Sequence, residues 1–126
     1  MTKILVVGLG GFLGAIARYG LTGLVHRRLS AAFPYGTLAV NVLGCLGIGV
    51  VLHLVEDRSM LGPTARLFVA IGILGGFTTF SSFGYETFEL LEDREYRLAL
   101  MNVAGNVVLG LVAVWIGRTL PRAIGM

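Results

Sequence analysis

The chain has 126 residues, of which 56% are hydrophobic and 13% are charged, with a formal net charge of +3. Soluble domains usually carry about twice that share of charged residues, so the composition excludes an ordinary soluble domain and indicates a membrane protein. The positive charges lie in short loops, which favours contact with lipid headgroups over nucleic acid. A single cysteine, Cys45, excludes a disulfide within the chain.

Four apolar segments are each long enough to cross ~30 Å of hydrocarbon, for which a helix needs about 20 residues. These predicted spans are about residues 4–25, 36–55, 65–91 and 98–117. The sequence therefore predicts an all-α membrane protein with four transmembrane helices in one domain, residues 1–126. Prolines support the limits of the spans, because proline suits a first turn or the residues beyond a helix end. Pro34 precedes the second span, Pro63 precedes the third and Pro121 follows the fourth.

The first span begins with a sequence similar to a dinucleotide-binding turn, at residues 3–11. The third glycine of that fingerprint is misplaced, since Gly14 comes one residue late, and no acidic residue precedes Glu56. Residues 15–17 resemble a signal-peptide cleavage site, but the apolar pattern resumes after Arg18. We therefore interpret this segment as a membrane helix.

Arg18 lies about two-thirds of the way along the first span and has two interpretations. Its long side chain can reach the nearby interface. Alternatively, it is a functional cation that draws anions into a pore mouth or holds a loop. The glycines Gly10 and Gly14 are four residues apart, which predicts a face for close helix packing.

The second span carries polar residues on one helical face, Thr37 and Asn41, and Gly44 extends that face. An asparagine in a bilayer is costly unless its amide is hydrogen-bonded. Asn41 therefore either joins helices or lines a polar path, where its amide can donate to an anion.

The third span contains a stretch that is poorly suited to a helix. Each glycine of the pair Gly75 and Gly76 costs about 1 kcal/mol relative to alanine in a helix interior. Phe77, Thr78 and Thr79 follow, and aromatic and β-branched side chains lose rotamer freedom in a helix. The sequence predicts a helix broken in the middle of the membrane. Such a break frees carbonyls to bind a cation and amides to face an anion.

Aromatic and hydroxyl side chains follow this break at helical spacing. Phe80 and Phe83 share a face, Ser81 and Ser82 lie between them, and Glu86 is four residues after Ser82. Packing in a core is the simpler interpretation of the two rings. Hydroxyl donors between electropositive ring edges also suit a small, strongly hydrated anion. Glu86 is then either protonated, bonded to a hydroxyl or placed at the interface.

The fourth span places Asn102 and Asn106 on one face, as helix-joining residues or as a second polar wall. Ala113 and Gly117 form another small-residue pair for close packing. Oligomerisation is expected to bury the asparagines that a monomer of four spans would expose.

The loop charges give almost no orienting bias. Five cations lie on the side of the N-terminus and four on the other side. The first set is Lys3, Arg58, Arg66, Arg118 and Arg122, and the second is Arg27, Arg28, Arg94 and Arg97. Such balance predicts dual topology, with copies that pair as an antiparallel two-fold dimer. The alternative is one orientation fixed by a partner or by insertion kinetics.

Three motifs resemble those of the Fluc (CrcB) fluoride channel family. They cover residues 10–19, 36–44 and 75–83, and the resemblance extends over essentially the whole chain. It implies a fluoride-selective channel, not an enzyme, that exports F⁻ passively across the bacterial inner membrane and lowers fluoride toxicity. It also implies an antiparallel dual-topology homodimer in membrane lipid, with two pores and no nucleic-acid partner.

The resemblance also implies roles for individual residues. Phe80 and Phe83 would line the fluoride path as a box of rings, with Asn41, Ser81 and Ser82 as donors. Glu86 would belong to the lower part of the path, and Thr37 and Arg18 complete the predicted set. A structural Na⁺ at the dimer interface would be held by the backbone carbonyls of Gly75 and Thr78. The family often has Ser-Thr where this chain has Ser81-Ser82, which predicts altered detail and the same function.

Two other functional classes remain as alternatives. A small proton-coupled transporter of the multidrug type can also have dual topology, but it would need a carboxylate deep in the first span, which offers Arg18 and no acid. A structural membrane subunit would explain the glycines but not the hydroxyl and phenylalanine cluster of the third span. No nucleophile–base set or metal-ligand cluster indicates an enzyme.

Overall fold

The computed structural model describes residues 1–57 and 59–125, and this part of the chain is helical with short connections. Arg58, one of the loop cations counted above, lies outside the described residues. The α-helices are α1 (Thr2–Arg28), α2 (Tyr35–Leu52), α3 (Pro63–Arg66), α4 (Gly75–Phe77), α5 (Phe80–Glu92), α6 (Tyr96–Ala104) and α7 (Gly110–Ala123). Three π-helical segments join some of them: His53–Asp57, Leu67–Leu74 and Gly105–Leu109.

These elements combine into four helical stretches that are long and apolar enough to cross a membrane. They are Thr2–Arg28, Tyr35–Glu56, Pro63–Glu92 and Tyr96–Ala123. Each predicted span falls inside one of these stretches, which extend it by one to six residues at either end. The fold is therefore all-helical with four candidate membrane spans, as expected for a multi-pass membrane protein.

The first and third stretches cross at glycines. Helix α1 packs most extensively against the π-helical segment Leu67–Leu74. A Cβ added at Gly10 would lie 2.5 Å from the Phe68 carbonyl oxygen and 2.9 Å from the Cα of Gly72. Only glycine permits this approach of one backbone to the other, which is the means by which small residues hold helices together in lipid.

The second and fourth stretches cross in the same manner. Helix α2 packs along α7 over the largest helix–helix contact of the described residues. A Cβ at Gly49 would collide with the Val114 carbonyl, and a Cβ at Gly117 would collide with the Leu46 carbonyl. Each crossing thus brings two of the four stretches into contact at the level of their backbones.

Two residues of the third stretch have extended backbone. Helix α4 ends at Phe77, Thr78 has φ −80° and ψ 157°, and Thr79 has φ −148° and ψ 108°. Helix α5 then begins at Phe80, where the Thr79 hydroxyl accepts a hydrogen bond from the Ser82 N–H at 3.2 Å. Threonine is a favoured residue at a helix N-cap, so the sequence itself provides a start for α5 at this place.

The C-terminal helix extends past the predicted end of the fourth span. Pro121 was expected after the span, but it lies inside α7, which ends at Ala123. Proline removes only its own N–H donor, and the following amides still find acceptors. The Ile124 N–H donates to the Leu120 carbonyl at 3.2 Å, so the last turn persists.

Candidate functional site

The extended backbone at Thr79 is held by the side chain of Asn41 from α2. The Thr79 N–H donates to Asn41 Oδ1 at 2.8 Å, and Asn41 Nδ2 donates to the Thr79 carbonyl at 3.2 Å. One amide side chain thus satisfies both backbone groups of a residue that is only 8% exposed. Buried backbone groups need such partners wherever a helix does not supply them.

Two carbonyl groups near Thr79 lose their helical donors. In a continuous helix the Thr79 N–H would bond the Gly75 carbonyl, but here it bonds Asn41. The Ser82 N–H would bond the Thr78 carbonyl, but it bonds the Thr79 hydroxyl. These carbonyls are therefore released from the helical pattern, as helix ends release theirs.

A neighbouring carbonyl receives an arginine. Arg18 Nε of α1 donates to the Gly76 carbonyl oxygen at 3.1 Å. Arg18 therefore contacts α4 just before the interruption of the third stretch, which is the extended pair Thr78 and Thr79. Its side chain helps to hold this interruption.

Two cavities lie beside the extended residues. The first has a volume of about 410 Å³, and five of its lining residues are Asn41, Gly75, Thr78, Phe80 and Phe83. The second has a volume of about 370 Å³, and five of its lining residues are Arg18, Thr37, Thr79, Ser82 and Glu86. Thr78 and Thr79 are adjacent in the chain but line different cavities.

The two phenylalanines of the first cavity form a pair on α5. Their ring centroids are 5.4 Å apart and their planes are inclined by 52°, so ring edges as well as faces are available. Phe80 is 83% exposed on the single chain, whereas Phe83 is half-buried. A phenyl ring that projects this far from the chain lacks most of the packing that would fix its position.

The second cavity contains a short hydroxyl–carboxyl contact. Thr37 Oγ1 donates to Glu86 Oε1 at 2.6 Å, and Thr37 is 3% exposed. The other carboxyl oxygen, Glu86 Oε2, is buried and has no hydrogen-bond partner among the described residues. The carboxyl group is therefore held by one oxygen, and the other faces the interior.

The predicted pathway residues fall into two groups and one outlier. Phe80, Phe83 and Asn41 lie in the first cavity with the predicted sodium ligands, and Arg18, Thr37, Ser82 and Glu86 lie in the second. Ser81 is exposed and lines neither cavity; its hydroxyl lies 3.3 Å from that of Thr79.

Sequence reasoning gave Thr79 no place in the pathway set. Its hydroxyl caps α5 and donates to Ser82 Oγ at 3.0 Å, and the residue lines the second cavity. The signal was present as a threonine three residues before a serine at the start of a helix. For Asn106, the sequence left open whether it joins helices or forms a polar wall. Asn106 Oδ1 accepts a hydrogen bond from Asn41 Nδ2 at 2.8 Å, and the residue lines the first cavity.

Comparison with known protein families assigns the chain to one of them. The family model described as "CrcB-like protein, Camphor Resistance (CrcB)" matches residues 5–118. The chain belongs to the CrcB family. The match extends from the first helical stretch into the fourth, so it includes both cavities and every predicted pathway residue.

Individual CrcB relatives are similar over nearly their full length. A protein of Chloroflexus aurantiacus is 47% identical over 125 residues, covering 99% of each chain. One of Opitutus terrae is 49% identical over 128 residues, covering 100% of this chain and 96% of the relative. One of Geobacter sulfurreducens is 48% identical over 124 residues, covering 98% and 100%. Each is named "Fluoride-specific ion channel FluC".

Proposed function

We propose that this CrcB family member is a fluoride-selective channel through which F⁻ leaves the cytoplasm passively across the bacterial inner membrane. The observation that carries the proposal is the interrupted third stretch, with two cavities beside it and a phenylalanine pair at the start of α5. The names of the relatives give the ion. The interruption then lies at mid-membrane depth, where only protein or water can surround it.

The chemistry around α5 suits a small anion. The N-terminus of this 13-residue helix carries partial positive charge and begins where the extended residues end. The edges of Phe80 and Phe83 are electropositive, and the hydroxyl group of Ser82, which accepts a bond from Thr79 and keeps its own proton to donate, lines the adjoining cavity. Donors of this kind can replace the water that a small anion loses when it enters a pore.

The functional unit is proposed to be an antiparallel dimer with two pores. Phe80 is 83% exposed on the single chain, so the first cavity is incomplete until another surface covers that ring. A second copy inserted in the opposite direction is the proposed surface, because the loop cations give almost no orienting bias. A two-fold pairing would place the first cavity of each copy against its partner.

A structural Na⁺ is proposed at the centre of this dimer. Gly75 and Thr78 line the same cavity, and the amides that would bond their carbonyls in a continuous helix are engaged elsewhere. Carbonyls of unwound membrane helices are typical ligands of Na⁺. The bound ion would supply a fixed positive charge, and the hydrogen bonds from Asn41 and Arg18 keep the backbone open to it.

The test is ion release from liposomes that contain the purified protein. Liposomes are loaded with KF or KCl, valinomycin is added, and the external anion is followed with an electrode. We expect rapid release of F⁻ without release of Cl⁻. Release of neither anion would shift the assignment to a transporter or a structural subunit. Equal release of both would leave an anion pore and remove the fluoride specificity.

A further inference from the structure

A chain of side-chain hydrogen bonds joins the second, fourth and third stretches. Asn41 Nδ2 donates to Asn106 Oδ1 at 2.8 Å, and Asn106 Nδ2 donates to Asn102 Oδ1 at 3.0 Å. Asn102 Nδ2 donates to Thr87 Oγ1 at 2.9 Å, and Thr87 Oγ1 donates to the Phe83 carbonyl at 2.7 Å. The chain therefore runs from the residue that holds Thr79 to the first turn of α5.

Backbone groups at the two ends fix the direction of every bond. The Thr79 N–H can only donate, so Asn41 must present its oxygen there and its nitrogen to Asn106. The Phe83 carbonyl can only accept, so the Thr87 hydroxyl must donate to it and accept from the preceding amide. Each side chain between the ends thus has a single orientation in which all of these bonds are made.

Burial makes this arrangement hard to exchange for bonds to water. Asn102, in the middle of this series of bonds, is 0% exposed, and Thr79, which Asn41 holds at one end, is 8% exposed. A buried donor or acceptor that loses its partner costs the full desolvation free energy, and networks of such groups select one conformation. Loss of any of these hydrogen bonds is therefore expected to change the conformation at Thr79 as well as that of the residues that made the bond.

Both amide hydrogens of Asn41 are used within the protein. One goes to the Thr79 carbonyl and the other to Asn106. In this arrangement Asn41 has no further donor for an anion, and it acts on the pathway through the backbone of Thr79.

We propose that Asn106, Asn102 and Thr87 are positioning residues of the fluoride pathway. They orient the Asn41 amide at one end and hold the Phe83 carbonyl at the other, and so fix the first turn of α5 that carries Phe80 and Phe83. The proposal rests on the proposed fluoride channel. It assigns to the asparagines of the fourth stretch a role in rate and selectivity that reaches the anion through other residues.

Two threonines offer a matched test. Thr87 donates to the carbonyl four residues before it at 2.7 Å, and Thr119 does the same to Trp115 at 2.8 Å. Thr87 also accepts from Asn102, whereas the bond of Thr119 lies at the surface near the C-terminal end of α7. Thr87→Val and Thr119→Val therefore remove the same kind of local bond, and the first also removes the acceptor of the bond from Asn102.

We expect Thr87→Val to reduce fluoride release per dimer about tenfold, as expected when one buried hydrogen bond is lost, and to raise the ratio of chloride to fluoride release. Thr119→Val should release fluoride at the wild-type rate. Thr87→Ser, which keeps the hydroxyl, should restore the rate and the ratio. Adding Asn102→Leu to Thr87→Val should cause less further loss than Asn102→Leu alone, because the bond between Thr87 and Asn102 is already broken and only the bond from Asn106 is left to lose.

The outcomes separate this inference from the proposed function. Wild-type rates in Thr87→Val, or equal losses in Thr87→Val and Thr87→Ser, overturn the positioning role while the channel assignment stands. Absence of fluoride release from both the wild-type protein and Thr119→Val overturns the channel assignment itself. Size-exclusion profiles and thermal midpoints of all variants establish that the compared proteins are folded to the same extent.

Discussion

The two halves of the third stretch, residues 63–77 and 80–92, are held by different kinds of contact. The first half lies against α1 with backbone touching backbone at Gly10 and Gly72. The second half, α5, packs chiefly on α6 and is joined to its neighbours by directional bonds from Thr37 to Glu86 and from Asn102 to Thr87. The first contact leaves no room for change, whereas the second can lose one bond at a time.

This difference separates the support of the fold from the adjustment of the site. A close glycine contact is lost as a whole when one methyl group is added, because that group meets rigid backbone of the neighbouring helix. Hydrogen-bonded side chains allow graded loss, because each bond contributes a modest free energy. Changes at the glycine contacts of the first half should therefore prevent folding. Changes in the second half should alter the rate of fluoride release by a protein that still folds.

The largest effect is expected at the glycine crossing. Gly10→Ala places a Cβ 2.5 Å from the Phe68 carbonyl oxygen, so we expect a loss of about 2 kcal/mol or more in stability, with little folded protein recovered. Gly8→Ala is the matched control, since a Cβ at Gly8 meets nothing within 4 Å. Yield and the thermal midpoint in detergent are the measurements. Equal behaviour of the two variants would contradict the close crossing.

The next effect concerns the phenylalanine pair of the second half. Phe80→Ile and Phe83→Ile remove the electropositive ring edges, and we expect each to reduce fluoride release about tenfold or more while the protein purifies intact. Phe88→Ile on the same helix is the control, because Phe88 is 58% exposed and is not a lining residue of either cavity. Unchanged release in both pathway variants would remove the rings from the pathway.

A smaller effect is expected from the proposed Na⁺ at the junction of the two halves. Exchange of Na⁺ for a large organic cation should lower the thermal midpoint of the protein by about 5 °C, because a ligand of the folded state adds to its stability. Fluoride release should fall with it. A midpoint that is the same in both salts would count against the sodium assignment of Gly75 and Thr78.

The smallest effect is expected far from both halves. Glu56 and Arg118 form an ion pair at 3.0 Å, with side chains 45% and 39% exposed. Exposed pairs of this kind contribute less than about 1 kcal/mol, so Glu56→Gln should leave fluoride release unchanged and shift the midpoint little. A loss comparable with that of Gly10→Ala would show that the surface, too, supports the crossing helices.

Much of this architecture could be predicted from local sequence. Apolar length alone located the four stretches, because a span of hydrocarbon requires about 20 apolar residues wherever it occurs. The weak helix formers from Gly75 to Thr79 pointed to the place where extended backbone lies at Thr78 and Thr79. Four-residue spacing likewise indicated which glycines, such as Gly10 and Gly14, would pack closely; both are buried.

The partners of the polar residues could not be predicted in this way. Helical spacing places Asn102 and Asn106 on one face, but it does not say that this face meets Asn41, which lies 65 residues before Asn106. The cap at Thr79 competes with ordinary helix bonding, and only tertiary contacts decide between them. Pro121 was predicted to lie beyond the fourth span but lies inside α7. Local sequence did not reveal this, because the helix tolerates the one N–H donor that proline lacks.

The extended pair Thr78 and Thr79 also determines which kinds of mutation this segment can accept. Neighbouring side chains point to opposite faces in extended backbone, which a helix does not allow. Each cavity therefore has its own residue, and a substitution at one position can change one compartment without touching the other. Deleting or inserting a single residue here would exchange the compartments, so this short segment should accept replacement far more readily than any change in length.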